Sequence, residues 1–317
     1  MASSETAATG AKGTDEGAAG VGTGRGPATA SGDLAGLEAG LDALESGGGG
    51  DRVPVGRVLL TRVLPPIVAI ALVLTAWQLT YWADVQPDYL LPSPGDVGAV
   101  FAEMWRQGTL LEYIWTSVSR GLLGFLIAIA VGTPLGLLVA RVKLVRAAIG
   151  PVLTGLQSLP SIAWVPAAII WFGLTNGTIY AVVLLGAVPS IANGIVAGVD
   201  QIPPLYLRAG RMLGARGLSS VRFVLLPAAL PGYLAGLKQG WAFSWRSLMA
   251  AELIVHSPDL GTGLGQLMEN YRTMQNMSGV LATIILILVV GVAIDLLFFS
   301  PLERRVLRSR GLLARVS

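Results

Sequence analysis

The stretch Asp200-QIPPLYLRAGRMLGARGLSSVRFVLLPAALP-Gly232 carries four arginines, Arg208, Arg211, Arg216 and Arg222, and no acid after Asp200. It is a polar island between long apolar runs. The chain has 317 residues, 53% hydrophobic and only 13% charged, with a mean hydropathy of +0.66. That is too apolar for an ordinary soluble domain and points to several membrane spans. The stretch therefore reads as a loop outside the bilayer that joins helices within it.

Six runs flank or follow this loop with enough apolar length to cross a hydrocarbon core, which takes about 20 helical residues. They lie near 63–82, 117–140, 148–172, 177–199, 233–256 and 279–300. Only Gly173-LTN-Gly177 separates the third from the fourth. The expected fold is an all-α membrane protein with six transmembrane helices.

The charges give an orientation. Arg52, Arg57, Arg62, Arg141, Lys143, Arg146, the four loop arginines, Arg304, Arg305, Arg308, Arg310 and Arg315 fall on one set of connections, fifteen bases in all. The other set holds only Arg106 and Arg272, with acids such as Asp84, Asp88, Asp96, Glu103, Glu112, Asp259 and Glu269. The positive-inside rule then places both termini and the 200–232 loop in the cytoplasm. A pI near 9.4 would suit nucleic acid, but this distribution is topological, so no nucleic-acid partner is expected. The expected location is the plasma (cytoplasmic) membrane of a bacterium, as a multi-pass protein in a lipid bilayer.

Residues 1–51 differ from the rest. They hold eight acids and two bases, are rich in Gly, Ala, Ser and Thr, and end in Ser46-GGGG-Asp51. Such a segment lacks the apolar surface to fold and reads as a disordered acidic tail ahead of a 52–317 transmembrane domain. Leu34, Leu37, Leu41 and Leu44 recur at helical spacing within it, the pattern of a short amphipathic helix. That helix is either transient or a docking element.

Within the fifth span, Gly232, Gly236, Gly240 and Ser244 form one small-residue stripe, which lets another helix approach closely. Gly132 and Gly136 stand in the same relation in the second span. The fifth span also carries Lys238, Arg246 and Glu252, and charges at this depth face a partner or a cavity. Two readings stand for Glu252, an ion pair at a helix seam or a position on a solute pathway. Trp241, Trp245 and Arg246 are further pathway candidates, the tryptophans alternatively packing. Asp295 is expected to snorkel or to pair with Arg304 and Arg305.

Catalytic signatures are missing. The three lysines, Lys12, Lys143 and Lys238, are followed by Gly, Leu and Gln, so there is no G-x-x-x-x-G-K-[ST] phosphate loop. There is no H-E-x-x-H, G-x-S-x-G or Cys/His cluster, since the chain has no cysteine and one histidine, His256. A membrane enzyme is thereby disfavoured. A transport subunit with no catalytic residue, no metal site and no cofactor of its own fits better. A stand-alone secondary transporter or channel is the alternative class, although no internal repeat supports it.

The loop resembles the signature loop of permease subunits of binding-protein-dependent ABC importers. That pattern is E-A-A, three residues, Gly, nine residues, an aliphatic, any residue, then Leu-Pro. Here Arg208-Ala209-Gly210 stands at E-A-A, Arg211-Met212-Leu213 follow, then Gly214, and nine residues later Val224-Leu225-Leu226-Pro227. Arg208 replaces the usual Glu and Gly210 the second Ala. Further stretches are similar to the sulfonate/taurine/nitrate permease branch. They are Leu91-Pro-Ser-Pro94, Ser117-x-x-Arg120-x-x-x-Gly124-Phe125, Gly132-x-Pro134-Leu-Gly136, Pro160-Ser-Ile-Ala-Trp-Val-Pro166, Trp171-Phe-Gly173, Ala251-Glu252 and Gly263-Leu-Gly265. The resemblance spans about 85–305. It implies a type I ABC importer permease fold, with the loop forming coupling helices on a separate ATPase. It also implies two ABC ATPase subunits holding ATP and Mg, a second permease chain (a homodimer) and an extracytoplasmic solute-binding protein. The implied solute is a small anion such as an aliphatic sulfonate, taurine or nitrate.

Overall fold

A computed structural model describes residues 64–256 and 261–310. The tail and its leucine helix lie outside the described residues. Chain contacts divide the protein after Ala69. The described part of the first unit is the opening of helix α1 (Leu64–Trp82), and the architecture below is that of the second.

α2 (Pro94–Arg106) starts on a capping box. The amide of Asp96 donates to Ser93 Oγ at 3.1 Å, and the amide of Ser93 donates to Asp96 Oδ2 at 3.0 Å. These bonds satisfy orphan donors at the helix start. Long helices follow as α3 (Thr109–Arg141), α6 (Asn176–Asp200), α9 (Leu226–Ile254) and α11 (Met277–Ile294).

α6 is the central post. It is apolar on all sides, as a helix enclosed by others should be, and Ile179, Val182, Val183, Ala187, Ile191 and Ala192 are fully buried. α3 lies along one side, where Gly124 meets Val183, Gly132 meets Ile191, and Gly136 meets Ala192 and Ile195. Partner numbers rise together, so α3 and α6 run parallel. α9 lies along another side, where Gly240 meets Ile191, Gly236 meets Gly194 and Gly232 meets Gly198. Here the numbers run oppositely, so α9 is antiparallel. The glycine stripe is thus half of a two-sided seam. A Cβ on Gly236 would lie 2.6 Å from the Gly194 Cα, so the approach is backbone to backbone.

The expected third span is not one helix. α4 (Lys143–Ser158) and α5 (Val165–Phe172) are joined by a 3₁₀ turn at Ser161–Trp164, and the pair is bent by 103°. The cause is local. Leu159 precedes Pro160, and a residue before proline is driven out of the helical region; Leu159 has φ −80° and ψ 130°. Ser161 Oγ is tied to Ser247 Oγ of α9 at 2.7 Å, and Gln157 donates to Ser190 of α6 at 2.9 Å. Because α3 and α6 run parallel, the chain between them must return across the bundle. The bent pair makes that crossing, so it counts as one span beside the five unbroken ones.

Candidate functional site

At one end of the bundle, the 200–232 loop folds into α7 (Pro204–Met212) and α8 (Gly217–Ser220). A π turn at Val221–Leu225 then leads directly into α9. α7 begins where Pro204 fits the first turn. Its C-terminus is a Schellman motif. The amide of Ala215 donates to the Gly210 carbonyl at 2.9 Å, and that of Gly214 to the Arg211 carbonyl at 3.1 Å. Gly214 sits at φ +84°, a conformation that side chains disfavour. Gly210 is buried, and a Cβ there would lie 2.8 Å from Val224 Cγ2. The replacement of the family's second alanine therefore has a steric reason, because Val224 occupies the space. Arg208 and Arg211 are exposed, and Ala209 is half-buried. Met212 and Leu213 are more than 80% exposed, with Leu205, Leu218 and Phe223 also outward. Leu226 and Pro227 open α9.

A buried polar cluster occupies the opposite end. Glu252 on α9 is fully buried and pairs with Arg120 of α3 at 3.0 Å. Ser117 Oγ donates to Glu252 Oε2 at 2.7 Å, and the amide of Gly265 donates to the same oxygen at 3.1 Å. Ser117 Oγ in turn accepts from the amide of Leu264 at 2.7 Å. Arg120 also donates to the Gly261 carbonyl at 3.3 Å. Both carboxylate oxygens are thus satisfied, the condition for holding a charge away from water. A Cβ on Gly265 would lie 2.6 Å from the Glu252 Cβ, and one on Gly263 would strike its carboxyl group. Three separated motifs, Ser117-x-x-Arg120, Ala251-Glu252 and Gly263-Leu-Gly265, meet here. Together they fasten α10 (Leu264–Thr273) to α3 and α9. Nothing in the spacing of the sequence joined them. The one available signal was a lone acid and a lone arginine, each in an apolar span.

Between these ends, a groove of about 740 Å³ runs between α9 and α11, lined by Trp241, Trp245, Arg246 and Lys238. Trp241 and Trp245 stack with centroids 6.1 Å apart and are mostly buried, so they pack and also present an edge to the groove. Arg246 lies over the Phe243 ring at 4.6 Å. Glu252 does not line this groove. Asp295 opens the π turn Asp295–Phe299 that precedes α12 (Ser300–Ser309). Contrary to the expectation for it, Asp295 lies 3.5 Å from Lys238, which sits equally far from Glu303. Lys238 reaches it across the α9–α11 seam, whereas Arg304 and Arg305 lie two turns or more further along the chain.

Residues 132–307, more than half of the chain, match the model of the binding-protein-dependent transport system inner membrane component family. The chain belongs to this family. The permease is 32% identical to a putative ABC transporter permease protein of Methanocaldococcus jannaschii, over 59% of this chain and 69% of that one. It is 29% identical to the putative aliphatic sulfonates transport permease protein SsuC of Bacillus subtilis, over 76% and 85%. It is 28% identical to the taurine transport system permease protein TauC of Escherichia coli, over 80% and 91%. Its fold is similar to a chain of the MetNI methionine ABC transporter in an inward-facing conformation. The TM-score is 0.50 at 22% identity, covering 64% of this permease and 97% of that chain. The permease is therefore a multi-pass inner-membrane component of a binding-protein-dependent transport system.

Proposed function

We propose that this permease forms half of a transmembrane pore, paired with a second copy and driven by two separate ATPase subunits that hold ATP and Mg. The observation that carries this is the loop. An apolar face of Leu205, Met212 and Leu213 is held outward at the arginine-rich end of the bundle, on a helix closed by a Schellman turn. Exposed apolar surface on a rigid, charged element supports a protein docking site. Bases flanking the spans at that end support a cytoplasmic position for the loop and both termini. On this reading a binding protein delivers solute to the opposite end, around α2 and the α10 segment fixed by Arg120 and Glu252. Relatives named for sulfonates and taurine, with Arg246 at the groove, favour a small oxyanion as solute.

The test is co-expression with a candidate ATPase and binding protein from the same organism, followed by reconstitution. The ATPase should co-purify, and its activity should rise with loaded binding protein. Loss of both behaviours would overturn the reading. Thermal-shift screening of the binding protein against sulfonates, taurine and nitrate identifies the solute.

A further inference from the structure

Beneath the loop lies a second cavity, of about 430 Å³, whose lining includes Arg141, Arg211, Arg216, Gly217, Ser220 and Leu225. The three arginines come from three places: the last residue of α3, the last turn of α7, and the residue that precedes α8. Among the described residues, none has a carboxylate within 4.0 Å. Arg141 donates only to a neutral acceptor, the Gly217 carbonyl at 3.3 Å. The nearby acid is already engaged, since Asp200 accepts a forked pair from Arg146, one bond at 2.8 Å and the other at 2.5 Å. Three positive charges therefore converge on one concavity, with no carboxylate among the described residues paired to them.

We infer that this cavity binds a phosphate-class oxyanion, which clasps the loop to the end of α3. Guanidinium forks match the paired oxygens of phosphate, and such charge-assisted bonds are the strong ones. The Ser220 hydroxyl can add a further donor. The cavity lies where the apolar helices α3 and α6 end, and basic pockets at the ends of spans take anionic headgroups. The chemistry is shared by an anionic phospholipid and by free phosphate. In either case the anion would connect Arg211 and Arg216 of the loop to Arg141 of the span, stiffening the joint through which the loop moves. The inference does not depend on the solute or on the ATPase, so its failure would leave the proposed function standing.

The experiment uses the full chain in phosphatidylcholine nanodiscs and follows thermal unfolding. One arm replaces part of the lipid with phosphatidylglycerol; another adds inorganic phosphate; a third adds chloride at matched ionic strength. Stabilisation by phosphatidylglycerol alone identifies the headgroup as the source, and stabilisation by inorganic phosphate identifies the free oxyanion. The Arg211→Gln/Arg216→Gln variant should weaken the response roughly tenfold or more, as expected for two lost charge-assisted bonds. Arg208→Gln/Arg222→Gln removes equal charge from the same loop without touching the cavity, and should keep the response. Arg141→Lys preserves charge but loses the fork, so it should also weaken the response and guards against a misfolded loop variant. Equal responses in both double variants, or no effect beyond that of chloride, would overturn the clasp.

Discussion

Replacing Glu252 by Ala isolates what the buried pair contributes. The substitution leaves the Arg120 guanidinium, with a side chain only 7% exposed, beside no carboxylate oxygen of residue 252. Removing one member of a buried pair costs about 3–5 kcal/mol, because the survivor remains as an uncompensated charge. The amide of Gly265 and the hydroxyl of Ser117 also lose their acceptor, and an unsatisfied buried donor costs about 1–3 kcal/mol. These terms overlap, since one carboxylate serves all three donors, so the expected loss is about 4–5 kcal/mol. That is large against a typical total stability of about 5–15 kcal/mol.

The double variant Arg120→Leu/Glu252→Leu removes both charges together. It should recover a coupling energy of about 2–3 kcal/mol relative to the sum of Arg120→Leu and Glu252→Leu, because residues sharing one network are not additive. The assay is reversible unfolding of the purified permease in bicelles, with hydrogen exchange read on 264–273. Single-substitution losses under about 1 kcal/mol, with a double variant that is simply additive, would refute the idea that this pair fastens α10.

Three further outcomes follow from other sites. Gly236→Ala places a Cβ against the Gly194 backbone, which cannot rotate away, and should lower stability by about 1–3 kcal/mol; Gly155→Ala, with nothing within 4 Å of its new Cβ, should be neutral or slightly stabilising in the same unfolding assay. Gly214→Val forces a β-branched residue to φ +84°, a strain of about 1–3 kcal/mol, so it should insert normally in membrane fractionation while losing ATP-driven uptake; normal uptake would count against a rigid loop. At the opposite end, the hydrogen bond from Arg272, aided by the positive charges of Arg272 and His256 and opposed by burial, holds the Glu269 carboxyl below the usual range. A depressed carboxylate contributes stability above its unfolded pKa and loses it as pH falls through the folded value, so the protection factors of α10 amides, taken against intrinsic exchange at each pH, should fall on acidification below about pH 4, and Glu269→Gln should abolish that dependence.

Much of the fold was legible because apolar length and charge placement are imposed by the bilayer. Six crossings, the polar loop and the glycine stripe all follow from those constraints. The partner of the stripe was not legible, since Gly194 and Gly198 lie in a helix apolar on every side and no face of it announces a neighbour. The bend near Pro160 was visible only as a proline within a hydrophobic run, where membrane helices commonly tolerate one. Its sharpness depends on the Leu159–Pro160 step and on the tie between Ser161 and Ser247. Asp295 was misassigned because chain proximity favoured Arg304 and Arg305, whereas Lys238 reaches it from another helix. At the loop, the Gly214 turn could be anticipated, but the fit of Gly210 against Val224 could not.

α9 connects the two ends of the bundle. From Gly217 to Ile254 the backbone is helical for 38 residues, with the π turn included, a length of about 57 Å at 1.5 Å per residue. Its first turns belong to the loop, and its last turn carries Glu252. Between them, Gly232, Gly236 and Gly240 press against α6 so closely that the helix has little room to bend toward it. The π turn at Val221–Leu225 and Pro231 inside α9 are its irregularities, and both sit near where the loop leaves the bundle, so rotation of the loop is absorbed there or passed along the rest of the rod. At the far end, Arg120 and the amide of Gly265 both hold the Glu252 carboxylate, so axial or rolling motion of α9 must carry α10 with it or break a buried ion pair. A displacement of the loop is thereby coupled to the opposite end through one helix, one glycine seam and one carboxylate.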